Sequence, residues 1–335
     1  MTRILSYNIL AGGYNLRAGG ARRTDKIVAM IRSVQPDVVG LIEAIHPKMT
    51  QKPLVAEDIA EQLDMRLIPL NRPQHSHDYQ TALLTRLPVV DIQFHSRPGI
   101  LTKPLLEVSV EETNGQQLTV FVTHLSAAFS KGWAGNNIRR REVREILRIM
   151  ATKEGKPHLL MGDFNSLAPG DHFQASALLG YIVQLDRTRQ KYVHDGDGNP
   201  HLDFVVPQNL RFFNPLLRRI PGNRPLTALF DTAAALYAPR GSIRLLLDAG
   251  YQDCFRQMNP GVQTFTCPSA APAGRIDYIF ASPELAGRLA SSTILTCADG
   301  VRGDEASDHL PVFAEFGLGS AIEKLDTHEQ AVEAL

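Results

Sequence analysis

HLLMGDFNS, residues His158–Ser166, decides the fold reading. Its first part is apolar enough for a strand buried on both faces, and it then breaks into Asp163 and Asn165. A buried strand that delivers a carboxylate and an amide at its C-terminal end is a strand that presents chemistry at the edge of a sheet. The same grammar recurs in both directions along the chain. Upstream, SYNIL carries Asn8, DVVGLIE ends on Glu43, and VTHLS carries His124. Downstream, RIDYIF carries Asp277, and SDHLP carries Asp308 and His309. One such residue alone is ordinarily a solvated strand end or a satisfied polar group. Sheet architecture gathers strand ends along one rim, so the joint set points to a single site.

Around these sites the chain reads as short strands broken by a few helices. Further strands are expected at Arg3–Ile9, which alternates with period two as a half-buried strand does, and at Arg66–Leu70, Ala82–Thr85, Val89–Phe94, Leu105–Glu111 and Leu118–Leu125. Late strands are expected at Val262–Thr266, Ile276–Ala281, Thr293–Cys297 and Val312–Phe316. A helix opens near Thr24 and stops at Pro36, a second carries Val55, Ile59 and Leu63, and Asn136–Lys153 shows the clearest apolar stripe. We read residues 1–318 as one α/β domain and 319–335 as a polar tail. Residues 186–249, rich in Pro, Gly, Asn and Arg, read as an insertion between GDFN and RIDYIF.

Composition narrows the function. The chain has 335 residues, is 44% hydrophobic and 21% charged, and balances 35 Lys plus Arg against 35 Asp plus Glu. That suits a folded domain with a substantial core and excludes wholesale disorder. A dedicated non-specific nucleic-acid binder would show a basic excess, which is missing overall. Charge is uneven, however: residues 204–230 hold Arg211, Arg218, Arg219 and Arg224 with no acid. No apolar run reaches the ~18–20 residues of a membrane span. The N-terminus has no secretion-signal pattern, and three scattered cysteines make no zinc knuckle, so a reducing cytoplasm is expected.

Taken in order, SYNIL, the Glu after an apolar strand, THL, GDFN, RIDYIF and SDHLP resemble the endonuclease/exonuclease/phosphatase superfamily, across Arg3 to Phe316. Its members include exonuclease III-like enzymes, pancreatic-type deoxyribonucleases, inositol polyphosphate 5-phosphatases, bacterial sphingomyelinases and deadenylases. The resemblance implies a DNase I-like, four-layered α/β sandwich, two packed mixed β-sheets flanked by helices. It implies a metal-dependent phosphoric ester hydrolase using Mg²⁺, with Mn²⁺ as a substitute, because a hard ion answers both the repulsion of the nucleophile and the poor leaving group. Glu43 is then the first metal ligand, with Asn8 beside it and Asp308 as a further one. Asp163 would act on the attacking water, Asn165 would hold a non-bridging phosphate oxygen, and His124 would contact the phosphate. His309 would meet the phosphoryl group, with Asp277 fixing its tautomer. Whether Asp163 or His309 takes the proton stays open.

Two departures argue against a standard abasic-site repair enzyme. Leu10 stands where the exonuclease III-like branch commonly has Asp, and YQTALLTRLP lacks the glycines often seen before its ALLTRLP ending. Outside the set, Arg218 and Arg219 could supply substrate-binding guanidinium groups, and Trp133 could stack on a base or sugar. His75 and His77 in HSHD, and DGDGNP around Asp195, read better as loops than as metal sites. The expected partner is therefore a phosphate-ester substrate, whether small molecule, lipid headgroup or nucleic acid, with no obligate protein partner. A nuclease is the alternative substrate reading, weakened by neutral charge and 7% aromatics. A family-fold protein that only binds is the alternative of another class, and the intact set speaks against it.

Overall fold

The computed structural model describes residues 1–47, 49, 52–69, 80–188 and 202–319; His75, His77, the loop around Asp195 and the tail beyond residue 319 lie outside the described residues. Two main sheets are built from β1 (Thr2–Asn8), β2 (Val38–Ile45), β3 (Arg66–Pro69), β4 (Gln80–Thr85), β5 (Val89–His95), β6 (Leu105–Glu111), β7 (Gln117–His124), β8 (His158–Asp163), β9 (Gln252–Asp253), β10 (Asp277–Ala281), β11 (Leu289–Ile294) and β12 (Val312–Phe316). The first sheet runs β11-β12-β1-β2-β4-β3 and the second β9-β10-β8-β7-β6-β5. Each has one parallel pair, β1/β2 and β7/β8, flanked by antiparallel neighbours. The crossover of each parallel pair is a helix, α1 (Thr24–Arg32) in the first sheet. In the second it passes through a longer helix, described below with the outer layer.

Alternation along the strands produces the layers. Ile4, Val38 and Ile42 of the first sheet interdigitate with Val120, Val122, Leu159, Met161 and Ile279 of the second. Their neighbours Leu5, Tyr7, Val39 and Leu41 face outward against Ile27 and Ile31 of α1 and Val55 and Ile59 of α2 (Val55–Leu63). On the other side Phe121, Leu160, Tyr278 and Phe280 meet Val143, Ile146 and Met150 of α3 (Trp133–Met150). The result is the four-layered sandwich, helices outside and two sheets within. Gly40 lets the sheets approach closely: a Cβ there would lie 2.6 Å from Met161 Cε.

Three sequence expectations are corrected. Arg3–Ile9 is a central strand with both faces covered, rather than a half-buried one. Val262–Thr266 forms no strand; it is a loop whose Thr266 side chain accepts from the backbone N–H of Ile276 and Asp277. The strand expected at Thr293–Cys297 falls at Leu289–Ile294, an edge strand of the first sheet whose mixed small and polar residues hide the period-two signal.

Between β8 and β9 the described residues from Ala175 on are largely helical. They contain α4 (Ala175–Thr188), α5 (Arg224–Tyr237) and α6 (Gly241–Asp248). Leu179, Ile182, Leu202, Val206 and Ile220 form a small separate core there. Ile243 and Leu246 of α6 instead pack into the outer layer of the second sheet, beside α3.

Candidate active site

Parallel neighbours end at the same sheet edge, and antiparallel neighbours begin there. This rule brings the polar strand ends together. Asp163, the last residue of β8, is in register with His124 at the end of β7 and with Asp277 at the start of β10. In the other sheet Asn8 ends β1 opposite Ile42, and Asp308 and His309 lie just before β12, the neighbour of β1. Each sheet contributes half of the cluster.

The halves meet on Asp163. Its Oδ2 accepts from Asn8 Nδ2 at 3.2 Å and lies 3.6 Å from His124 Nε2 and 3.9 Å from His309 Nε2. Its Oδ1 accepts from the backbone N–H of Asn165 at 2.8 Å. His309 Nδ1 lies 2.8 Å from Asp277 Oδ2, so the imidazole is gripped on one side and turns Nε2 toward Asp163, Asn8 and Asp308. Asn165 donates its side-chain N–H to Leu125 O at 3.0 Å. Glu43 Oε2 accepts from the backbone of Ala11 at 3.0 Å.

The backbone is bent to make these placements. Glu43, Asn165, Leu10 and Ala11 all have positive φ, a conformation that costs a non-glycine residue about 1–2 kcal/mol. Glu43 sits where the β2/β4 register slips between Leu41 and Ile45, a bulge that re-aims its side chain. Gly162 has φ of 145°, and a Cβ there would lie 1.9 Å from Thr123 O, so the residue before Asp163 must be glycine. Such strain survives only where surrounding structure over-determines it, and here it collects at the rim.

Burial shapes the electrostatics. Asp163 is raised to about 7, first by desolvation and then by the nearby Asp277 charge. Asp308 is raised to about 6, again chiefly by burial. Burial alone would lower His309, but Asp277, Cys267 and Asp308 outweigh it and hold the imidazole well above its ordinary value. His124 is pushed the other way by burial, Lys103 and His309, so it stays neutral. The rim therefore holds a cationic His309 beside a carboxyl balanced near neutrality.

A divalent cation fits this donor set. Asp308 Oδ1 is buried without a hydrogen-bond partner, and an orphaned carboxylate oxygen is costly unless a cation meets it. Among the described residues Asn8 Oδ1 accepts from Leu10 N alone, leaving one lone pair, and the Glu43 charge acts on Asp308. These are hard oxygens of the kind Mg²⁺ or Mn²⁺ prefers.

Several contributors escaped the sequence reading. Ser307 donates to Asn8 O at 2.7 Å and accepts from His309 N at 3.3 Å, tying together the two strand ends that the first sheet contributes. Arg23 donates to Ile9, Leu10 and Ala306 carbonyls and places its charge toward Asp308 and Glu43. Lys103 acts on His124 and Asp163. Ser307 was findable as the first residue of SDH; Arg23 and Lys103 lie in loops with no local signal. Arg218 and Arg219 are on the helical segment, where Arg218 bonds Asp186 at 2.8 Å. No described interaction brings either arginine to the rim. Trp133 is exposed at the start of α3, edge-on to Tyr237 at 5.4 Å, and both line a groove with Lys131, Pro207 and Gln208.

An imidazole–carboxylate pair facing a second carboxyl across a sheet-on-sheet rim defines a hydrolase-type site. Residues 5–309 match the model of the Endonuclease/Exonuclease/phosphatase family. The chain belongs to that family, whose members are hydrolases of phosphoester bonds. Among solved structures, it resembles an AP endonuclease from Archaeoglobus fulgidus, with TM-score 0.59 and 14% identity over 95% of this chain and 100% of that one. An endonuclease/exonuclease/phosphatase from Beutenbergia cavernae DSM 12333 is 20% identical, with TM-score 0.56 over 96% and 72%. The 3' phosphatase NExo from Neisseria, bound to product DNA hairpin, is 17% identical, with TM-score 0.54 over 95% and 100%. No curated protein matches the sequence significantly. Among the described residues no helix is long and apolar enough to cross a membrane.

Proposed function

We propose that this chain hydrolyses a phosphoester with an activated water and a divalent cation. The observation that carries the reading is Asp163, buried between His309, held by Asp277 at 2.8 Å, and Asn8 from the opposite sheet. Glu43, Asn8 and Asp308 would hold Mg²⁺ or Mn²⁺, which when bound polarises the phosphoryl group and steadies the leaving oxygen. The rest is done by the chain itself. Asp163, with its pKa near 7, takes the proton from the water, since a base is most effective when balanced near the working pH. His309, kept cationic by Asp277, donates from Nε2 to a phosphoryl oxygen as charge builds there. Asp277 keeps Nδ1 protonated and the ring in place. Neutral His124 donates a further hydrogen bond from Nε2, and the second side-chain N–H of Asn165 holds a non-bridging oxygen.

Glu43→Gln tests the reading on a bis-aryl phosphodiester. Turnover stimulated by Mg²⁺ should vanish across a full metal titration while the far-UV spectrum stays native. Wild-type activity in that variant would refute the ligand assignment.

A further inference from the structure

Beside the His309–Asp277 pair lies a thiol that the hydrolysis does not use. Cys267 Sγ, a carboxylate oxygen of Asp308 and a ring nitrogen of His309 lie within 4.8 Å of one another. Two further observations show that this grouping is more than proximity. Asp277 occupies His309 Nδ1 at 2.8 Å, which leaves Nε2, 3.5 Å from Asn8 Nδ2, as the ligand nitrogen and fixes its direction. A carboxylate bound to the far side of an imidazole is the usual support of a metal-ligating histidine. Nε2 in turn lies 3.9 Å from Asp308 Oδ1, the buried oxygen without a partner. Ligands at about 2.0–2.3 Å from a tetrahedral ion lie about 3.3–3.8 Å apart, so only a small shift is required.

The loop carrying Cys267 is anchored to the same segment. Ser269 N donates to Asp308 O at 2.7 Å and Ser269 Oγ to Ser307 O at 2.6 Å, while Thr266 and Cys267 both donate to Gly274 O. Cys267 as a whole is half-buried. A thiolate, an imidazole and a carboxylate make a borderline-soft set that favours Zn²⁺ and is wrong for Mg²⁺.

We propose that Cys267, Asp308 and His309 form a Zn²⁺ site that holds the active centre shut. The zinc–sulfur and zinc–nitrogen bonds form as the Cys267 thiol proton and the His309 Nε2 proton leave to solvent; nothing is oxidised or reduced. The bound ion occupies His309 Nε2 and one Asp308 oxygen, and a fourth position is left for water. Both side chains are then withdrawn from hydrolysis until the zinc is removed. The binding claim is independent of the proposed reaction, whereas the inhibition claim rests on it.

The experiment is a Zn²⁺ titration of the whole chain against a chromophoric chelator, with Cys297→Ser as the background to silence the exposed thiol. Adding Cys267→Ser should weaken zinc at least about 100-fold, since lost support of a ligand alone typically costs 10–100-fold. Unchanged affinity overturns the site. A variant that fails to fold does not protect the proposal, because Co²⁺ bound to the Cys297→Ser protein should show a thiolate-to-cobalt charge-transfer band. Absence of that band also overturns it. For inhibition, Zn²⁺ should stop Mg²⁺-supported turnover at the concentration that fills the site, with chelator restoring it. Zinc binding through Cys267 without loss of turnover would refute the inhibition and leave the site standing. No turnover under any metal would refute the phosphoesterase reading and leave the binding result intact.

Discussion

At the rim, Asn8, Asp163, Asp277 and His309 are polar side chains almost wholly enclosed, whereas between Ala175 and Tyr237 apolar side chains stand in solvent. Phe212 is 72% exposed, Leu229 69% and Leu236 84%, and α5 contains no buried residue at all. The rim reverses ordinary burial because strands from two sheets converge there and leave the polar groups no choice. The helical segment has only its own small core, and nothing in the sandwich dictates its outer face. The rim therefore stores unfavourable burial for chemistry, and the helices carry apolar surface beyond their needs.

The largest effect should come from breaking the rim's best-defined pair. His309→Ala and Asp277→Asn should each lower turnover on the order of 10³-fold or more, and the double variant should be hardly worse than either. Multiplicative losses would mean the two do not act as one unit. Next, Asn165→Ala should cost about 10²-fold in kcat, as loss of one preorganised donor does, with KM for a minimal phosphodiester little changed. A loss confined to KM would place Asn165 in binding instead.

Stability should move the other way at the same rim. Between about pH 4 and 7 the folded metal-free protein keeps a proton on Asp163 that the unfolded chain has released. Raising the pH through that window therefore costs stability, and the cost is complete above it. Asp163→Asn removes the titration, so in a chelator it should raise Tm by several degrees at pH 8 and leave it nearly unchanged at pH 4. A uniform shift at both pH values would assign the gain to packing rather than charge. The smallest effects belong to the helices. Arg218→Ala with Arg219→Ala should leave turnover of a minimal phosphodiester within about twofold and raise KM only for a substrate large enough to reach them. Because Arg218 already bonds Asp186, equal loss on both substrates would show the helical segment to be structural.

Much of the rim was legible because its motifs are local. Asp163, His124, Asp277 and His309 end or flank apolar runs, and their ordered set carries the resemblance to the family and its sandwich. The strands at Leu105–Glu111 and Val312–Phe316 fall where their patterns place them. Leu289–Ile294 did not, because an edge strand facing solvent loses the contrast on which periodicity depends. The helices of the 186–249 stretch were equally hidden: Pro and Gly signalled loops, yet tertiary contacts stabilise short helices whose apolar faces pack on one another.

What the sequence alone determined is the cast of polar strand ends that meet at the rim, since residue type and the strand-end position of each polar group are local properties. Tertiary structure decided how the cast is joined. Ser307 bridging to Asn8, Arg23 closing on four carbonyls, the Lys103 charge acting on Asp163 and Cys267 beside His309 all depend on which loop returns to the rim. Tertiary structure also set the protonation states, because the same carboxyl in solvent would titrate near 4 and only burial beside Asp277 raises Asp163 to about 7.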